Sequence, residues 1–211
     1  MRVAVVALLS LRGTPVLYGG DEIGLGDIGV SEDRLRDPLG VRYWPAYAGR
    51  DPMRTPMPWR DTPGGGFTEP GVEPWLPFGD LGECNVEDQL DEPDSMLTLV
   101  RDLLALRRNT PALQAGSYRT LEATDGAWAW SRGDHFVVVA NMGTGEAVLG
   151  GISGRVRLGT DRRRDGEAVD GTLRIRGWEA IVLERGDLAQ FADYVEGSEV
   201  SQSRPPDRWR K

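Results

Sequence analysis

Asp21 and Glu22 are adjacent acids set in the stretch GTPVLYGGDEIG, residues 13–24. A short apolar run, Pro15-Val16-Leu17-Tyr18, leads into paired glycines and then into the two carboxylates. An apolar strand, a glycine turn and acids is the pattern by which a buried parallel strand delivers carboxylates to the rim of a barrel. Two carboxylates also suit glycoside hydrolysis, which in retaining enzymes places them about 5–5.5 Å apart across the scissile bond. Neighbouring side chains of an extended chain point to opposite faces, so these two do not converge on one carbon without an unusual turn. Asp21 and Glu22 are therefore read as support for a rim, or as caps of the turn after the strand.

A second group lies at residues 49–59, GRDPMRTPMPW. Arg50 is the leading substrate-binding candidate, because a guanidinium presents a rigid planar fork of donors to paired acceptors on a sugar or a carboxylate. Asp51 is placed to orient it. The plainer alternative is a loop salt bridge, worth little if exposed. Arg54 reads as a structural anchor of the same loop. Tyr43, Trp44, Tyr47, Trp59, Trp75 and Phe78 cluster nearby. Such rings can cover the apolar face of a sugar, but they also give a long loop its only core, and most are assigned to that core. Trp128, Trp130 and Trp178, farther along, are likewise assigned to a core.

Composition excludes several other chemistries. The formal net charge is -8 and the sequence pI is near 4.8, which argues against nucleic acid or an acidic membrane as partner. One cysteine, Cys84, rules out an internal disulfide framework and any cysteine-based zinc site. One histidine, His135, sits in the strand-like run HFVVVAN and makes a Ser-His-Asp triad improbable. No metal-ligand cluster, phosphate loop or dinucleotide fingerprint is present, so neither a metal nor an organic cofactor is implied. Met1-Arg2 followed by VAVVALLSL imitates a signal peptide, but no small-x-small site comes after it and the run is too short to span a bilayer. It reads instead as the end of a buried helix stopped by Gly13, in a cytoplasmic protein.

These groups need elements to position them. Residues 1–12 read as helix and 15–18 as strand. Residues 24–92 form a long Pro- and Gly-rich loop, a length that is usually functional when ordered. Residues 94–108 read as the clearest helix, with Met96, Leu99, Val100, Leu103 and Leu104 on one stripe. Pro93 suits its first position, Arg107-Arg108 suit its negative end, and Asn109 with Pro111 stop it. From residue 117 the period becomes alternating. Strands are expected at 118–121, 128–130, 136–140, 156–158, 173–175 and 180–183, separated by turns such as Asp125-Gly126 and Asp170-Gly171. Short strands at that spacing suggest an antiparallel sandwich.

The chain resembles the α-amylase superfamily, glycoside hydrolase family 13. GTP…GDE resembles the eighth and last strand of that family's barrel. GRD…RTPMPW resembles a loop of its α-glucosidase and oligo-1,6-glucosidase branch. Asn85 to Leu113 resembles the branch's final barrel helix. The resemblance implies an α+β chain: residues 1–114 the last helix, strand, loop and helix of a (β/α)8 barrel, residues 115–185 the β-sandwich called domain C, and residues 186–211 a poorly ordered tail. It implies a parent enzyme that hydrolyses or transfers α-glucosyl units of short gluco-oligosaccharides, with Arg50 closing the non-reducing end of the glucose pocket. The family's nucleophile, acid/base and third acid come after earlier strands and would lie before Met1, so no catalytic residue carries over. A missing N-terminal barrel half is then a partner, and helices around Val5 and Leu103 would expose apolar surface without it. Trehalose synthase is an alternative within the family, and a non-catalytic carbohydrate-binding or interaction module is the alternative outside it.

Overall fold

The structure is a computed structural model of the 211-residue chain, describing residues 1–121, 123 and 126–186. Beyond Gly186, the expectation of a poorly ordered tail concerns residues outside that range. Helices α1 (Arg2–Ser10), α2 (Pro38–Tyr43), α3 (Val86–Leu90), α4 (Met96–Asn109) and α5 (Pro111–Ala115) come first. Eight strands come next: β1 (Tyr118–Leu121), β2 (Ala127–Arg132), β3 (Phe136–Asn141), β4 (Ala147–Gly150), β5 (Gly154–Gly159), β6 (Ala168–Val169), β7 (Thr172–Ile175) and β8 (Glu179–Glu184). Among the described residues no helix is long and apolar enough to cross a membrane.

Six strands form one antiparallel sheet in the order β1-β2-β3-β8-β5-β6, and β4 pairs with β7 in a second. The central strands β3 (FVVVAN) and β8 (EAIVLE) are apolar almost without alternation because both faces of the large sheet are covered. Trp130, Val138, Ala140, Leu158 and Val182 face α1 and α4. Val137, Val139, Val156, Ile181 and Leu183 face the small sheet. An antiparallel sheet with one wet face would have alternated. At Gly154, a side chain would place Cβ 2.2 Å from the Glu184 carbonyl oxygen, so β5 approaches β8 at a residue with no side chain.

Val3, Val5, Val6 and Leu9 of α1 are buried in the same core as Leu99, Val100 and Leu103 of α4. Each buried branched side chain contributes about 1.5–3 kcal/mol. That is ample for a nine-residue helix which would be marginal alone. The apolar surface expected to be bare around Val5 and Leu103 is thus covered by the chain's own sheet. Ser95 caps α4, its Oγ accepting the Thr98 N–H at 3.0 Å. Pro93 and Asp94 therefore precede the helix instead of opening it. Asn109 is its last residue, and Pro111 opens α5, a helix too short for its period to show in the sequence.

The C-terminal turn of α1 leaves carbonyls without helical partners. Two buried arginines supply donors. Arg107 of α4 gives Nη1 to the Leu9 and Leu11 carbonyls at 2.8 and 3.0 Å, and Nη2 to the Gly13 carbonyl at 2.6 Å. Arg132 of β2 gives Nη1 to the Ser10 carbonyl. Burial pushes the Arg132 pKa down, and the charges of Arg107 and Arg12 add to that. Arg107 thus serves the end of α1, not that of its own helix.

The strand expected at residues 15–18 is not formed. Val16 is 78% exposed and Tyr18 53% exposed, while Leu17 packs against the core. A parallel strand exists through ladder bonds to neighbours, and no described segment lies alongside to make them. His135 lies in the turn before β3, exposed, with its carbonyl accepting the Arg185 N–H at 2.6 Å.

Replacing Arg107 by Ala leaves three carbonyls without their donor. We expect a loss of about 2–4 kcal/mol of stability, read as a lower urea midpoint at unchanged slope by far-UV circular dichroism. An unchanged midpoint would show that the helix end is satisfied otherwise.

Candidate functional site

The loop from 24 to 92 buries little of its apolar matter. Val30, Leu35 and Leu76 form its small buried centre, with Ile28, Trp44 and Ala48 against it. Buried carboxylates do the rest. Asp37 caps α2, its Oδ1 accepting the Leu39 N–H at 3.1 Å, with Pro38 at the first helical position. Its Oδ2 accepts both the backbone N–H and the Nε–H of Arg50, at 2.9 and 2.8 Å. Asp51 returns the contact: its Oδ2 accepts the Arg36 and Asp37 backbone N–H groups at 2.5 and 2.7 Å. Asp37 and Asp51 are both buried. The two segments are cross-linked reciprocally. Gly49 makes this approach possible. Its φ is +71°, and a Cβ there would stand 2.8 Å from the Gly40 nitrogen and 2.9 Å from the Asp37 Cβ.

The expected partnership of Asp51 with Arg50 is therefore replaced. Asp37, absent from the residues singled out by sequence, orients the guanidinium, and Asp51 holds the backbone on which Asp37 sits. The signal was there: an acid directly before proline is the mark of a capped helix start. The Arg50 side chain, and after it the Arg50 backbone N–H, holds the Asp37 carboxyl far below the usual carboxylate range.

Arg36, Asp37, Arg50, Asp51, Arg54 and Trp75 line one cleft of about 460 Å³, together with Phe67 and neighbouring prolines. The Arg50 side chain is 50% exposed. Its Nη1 and Nη2 make no hydrogen bond to the described residues, so a fixed guanidinium presents its outer donors to solvent. The Arg54 side chain is exposed and makes no such bond either; its backbone N–H, donating to the Asp51 carbonyl at 3.0 Å, is what anchors the loop. Asp21 and Glu22 do not line this cleft. They sit in a short turn whose own backbone they cap: Asp21 Oδ2 accepts the Tyr18 N–H at 2.9 Å, and Glu22 Oε2 accepts the Gly20 N–H at 2.7 Å. That turn packs on α4, and Gln89 Nε2 donates to the Ile23 carbonyl at 2.9 Å.

Trp44 points inward as expected, and Phe78 meets Phe67 edge-on with centroids 6.3 Å apart. Tyr43, Tyr47, Trp59 and Trp75 do not; each is close to half exposed or more, because the loop's centre is too small to take them. Trp130 is fully buried and Trp128 packs beside it, whereas Trp178 is 64% exposed, contrary to its assignment to the core. Among the described residues no group of His, Cys, Asp and Glu could hold a metal ion.

Residues 1–116 match the family described as alpha amylase, catalytic domain. The chain belongs to the α-amylase family, glycoside hydrolase family 13. A probable α-glucosidase of Rhizobium meliloti is 40% identical over 116 residues, 54% of this chain and 21% of that protein. The amino acid transporter heavy chain SLC3A1 of Mus musculus is 32% identical over 198 residues, 86% of this chain and 27% of that one. The crystal structure of the α-glucosyl transfer enzyme XgtA superposes with a TM-score of 0.74 at 33% identity, covering 88% of this chain and 35% of that one. This family member thus spans about a fifth to a third of the length of such relatives. Its order of helix, long loop, helix and antiparallel sheets is that of a barrel remnant followed by a β-domain.

The Asp37 carboxyl has a lower pKa in the folded chain than its ordinary 3.8. Its contribution to stability is therefore complete above that ordinary value and is lost as pH falls through the folded one. We expect the Arg50 Nε–H resonance to stay in slow exchange from neutral pH down to the ordinary carboxylate range. In Asp37→Asn it should exchange fast at every pH. A fast-exchanging Nε–H in the unmodified chain would break the assigned contact.

Proposed function

We propose that the chain is the C-terminal part of an α-glucosidase-type enzyme that acts on short α-glucosides, working in the cytoplasm. The observation that carries this reading is Arg50, locked at Nε by a buried carboxylate and open at both Nη atoms, on the rim of a cleft with the exposed Trp75. Ordering a guanidinium in advance cuts the entropic cost of gripping a sugar's paired hydroxyls. The likeness to a probable α-glucosidase and to an α-glucosyl transfer enzyme supports the same substrate class.

The parent reaction is retaining hydrolysis or transfer. Asp37 is held ionised by Arg50 and by backbone donors, so it cannot give a proton near neutral pH. Asp51 is committed to backbone N–H groups. The reacting carboxylates belong to a barrel half that completes the site, and Arg50 binds and orients the sugar for them. No cofactor takes part. A trehalose synthase-like transfer differs only in what accepts the glucosyl unit. The second reading, a non-catalytic interaction module, draws on the likeness to a transporter heavy chain, which extends through the sheets.

In the full-length parent, Arg50→Ala should lower kcat/KM roughly tens- to several-hundred-fold with little change in melting temperature. Asp37→Asn should act in the same direction, more weakly. The double variant should be no worse than Arg50→Ala, since Asp37 acts through Arg50. The 211-residue chain alone should release no glucose from maltose, isomaltose or an aryl α-glucoside. Unchanged kinetics in Arg50→Ala would remove Arg50 from the site, and turnover by the purified chain would overturn the division of roles.

A further inference from the structure

Trp178 stands between β7 and β8 with φ +57°, the positive-φ non-glycine residue among those described. Its backbone is fixed there. The Trp178 N–H donates to the Gly143 carbonyl at 3.1 Å, and at Gly177 a Cβ would stand 2.3 Å from the Thr144 carbonyl oxygen. Glycine would take this left-handed conformation without strain; tryptophan does not. The ring offers the fold little in return, being 64% exposed and absent from the cores and from the ring and cation contacts. Strain held at a side chain that belongs to no core points to a ligand.

Around the indole is a cleft of about 500 Å³ that shares no residue with the Arg50 cleft. Asp161 takes three bonds from Arg163, two from the guanidinium, both at 2.9 Å, and one from the backbone N–H at 3.2 Å, and a further one from Arg176. Glu179, buried, accepts the Arg176 backbone N–H at 2.7 Å and the side chain at 3.4 Å. These contacts leave Arg163 Nη1 and Arg176 Nε and Nη1 without a hydrogen bond to the described residues. Arg2 and Asp94 complete the charged lining, so guanidiniums and carboxylates balance in number. A balanced lining does not select an anion. A lone ring among ions does not match a protein interface, whose centre is apolar and depleted of charge. An aromatic face beside fixed donors and an acid suits a neutral polyol, its C–H face on the ring and its hydroxyls on Arg163, Arg176 and Asp161.

We infer that the Trp178 cleft is a second carbohydrate-binding site, which holds a neutral α-gluco-oligosaccharide on the β-domain away from the Arg50 cleft. The choice of α-glucoside rests on the proposed function; the presence of a polyol site does not. The test titrates the 211-residue chain with maltotriose while tracking the tryptophan indole N–H resonances. The expected result is a saturable shift of the Trp178 resonance. Trp178→Phe should weaken binding roughly threefold and Arg163→Ala by a similar factor, with Trp178→Gly weakening it by about tenfold or more. Trp178→Gly should also melt no lower than the unmodified chain, which a merely structural tryptophan would not allow. Arg50→Ala should leave this affinity unchanged. No shift at Trp178, full binding by Trp178→Gly, or loss of binding in Arg50→Ala would each overturn the site. An inactive full-length parent would sink the proposed function and leave this binding result standing.

Discussion

The end of α1 is held by charge where most helices end in solvent or at glycine. Arg107 and Arg132 reach it from different elements, one from α4 and one from β2, and four consecutive or near-consecutive carbonyls receive their donors. Taking a guanidinium out of water costs several kcal/mol. The return is hydrogen bonds from a charged donor, worth about 1.5–3 kcal/mol each, together with favourable placement at the negative end of a helix. The same two side chains also join the helical layer to the sheet. α1, α4 and β2 must be in register for both contacts to form, so the first twelve residues and the β-domain are fixed relative to one another.

The segment after α1 inherits that fixed start. The chain passes Gly13, runs without helix or strand to the Asp21–Ile23 turn on α4, and then enters a loop with a small apolar centre. The loop solves the shortage with carboxylates that accept backbone N–H groups. Asp37 and Asp51 each take donors from the other's segment, a tie that needs no bulk. One donor belongs to the Arg50 side chain, so the bond that stiffens the loop also orients the proposed sugar-binding group. Structure and binding meet in one carboxylate.

The period of the sequence made much of this legible. The α4 stripe, the alternating stretches after residue 117 and the antiparallel pairing arise from 3.6- and 2-residue periods. β4 escapes such a reading because Val148, on its outer side, is as apolar as the inward Ala147 and Leu149, and β6 because two residues show no period. The segment at 15–18 imitates a strand because strand character at Val16 to Tyr18 depends on neighbours, which a local pattern cannot contain. In the site, Arg50 and Arg54 are legible by residue type and motif, and they do share a cleft with Asp51. Asp37 is legible only as a helix cap before Pro38, because its hold on Arg50 rests on a contact across thirteen residues. Trp178 misleads for a related reason: a strand-flanking tryptophan reads as core, and only its exposure in the folded chain shows that it points outward.

α1 and the β-domain thus form one cooperative unit on which the Arg50 loop is carried. Native-state hydrogen exchange read by mass spectrometry tests it most directly. Amides of residues 3–10 should exchange as slowly as those of β3 and β8, and all three should lose protection together on addition of denaturant, while residues 60–80 exchange early. Rapid exchange of residues 3–10 under conditions where β3 and β8 stay protected would contradict it.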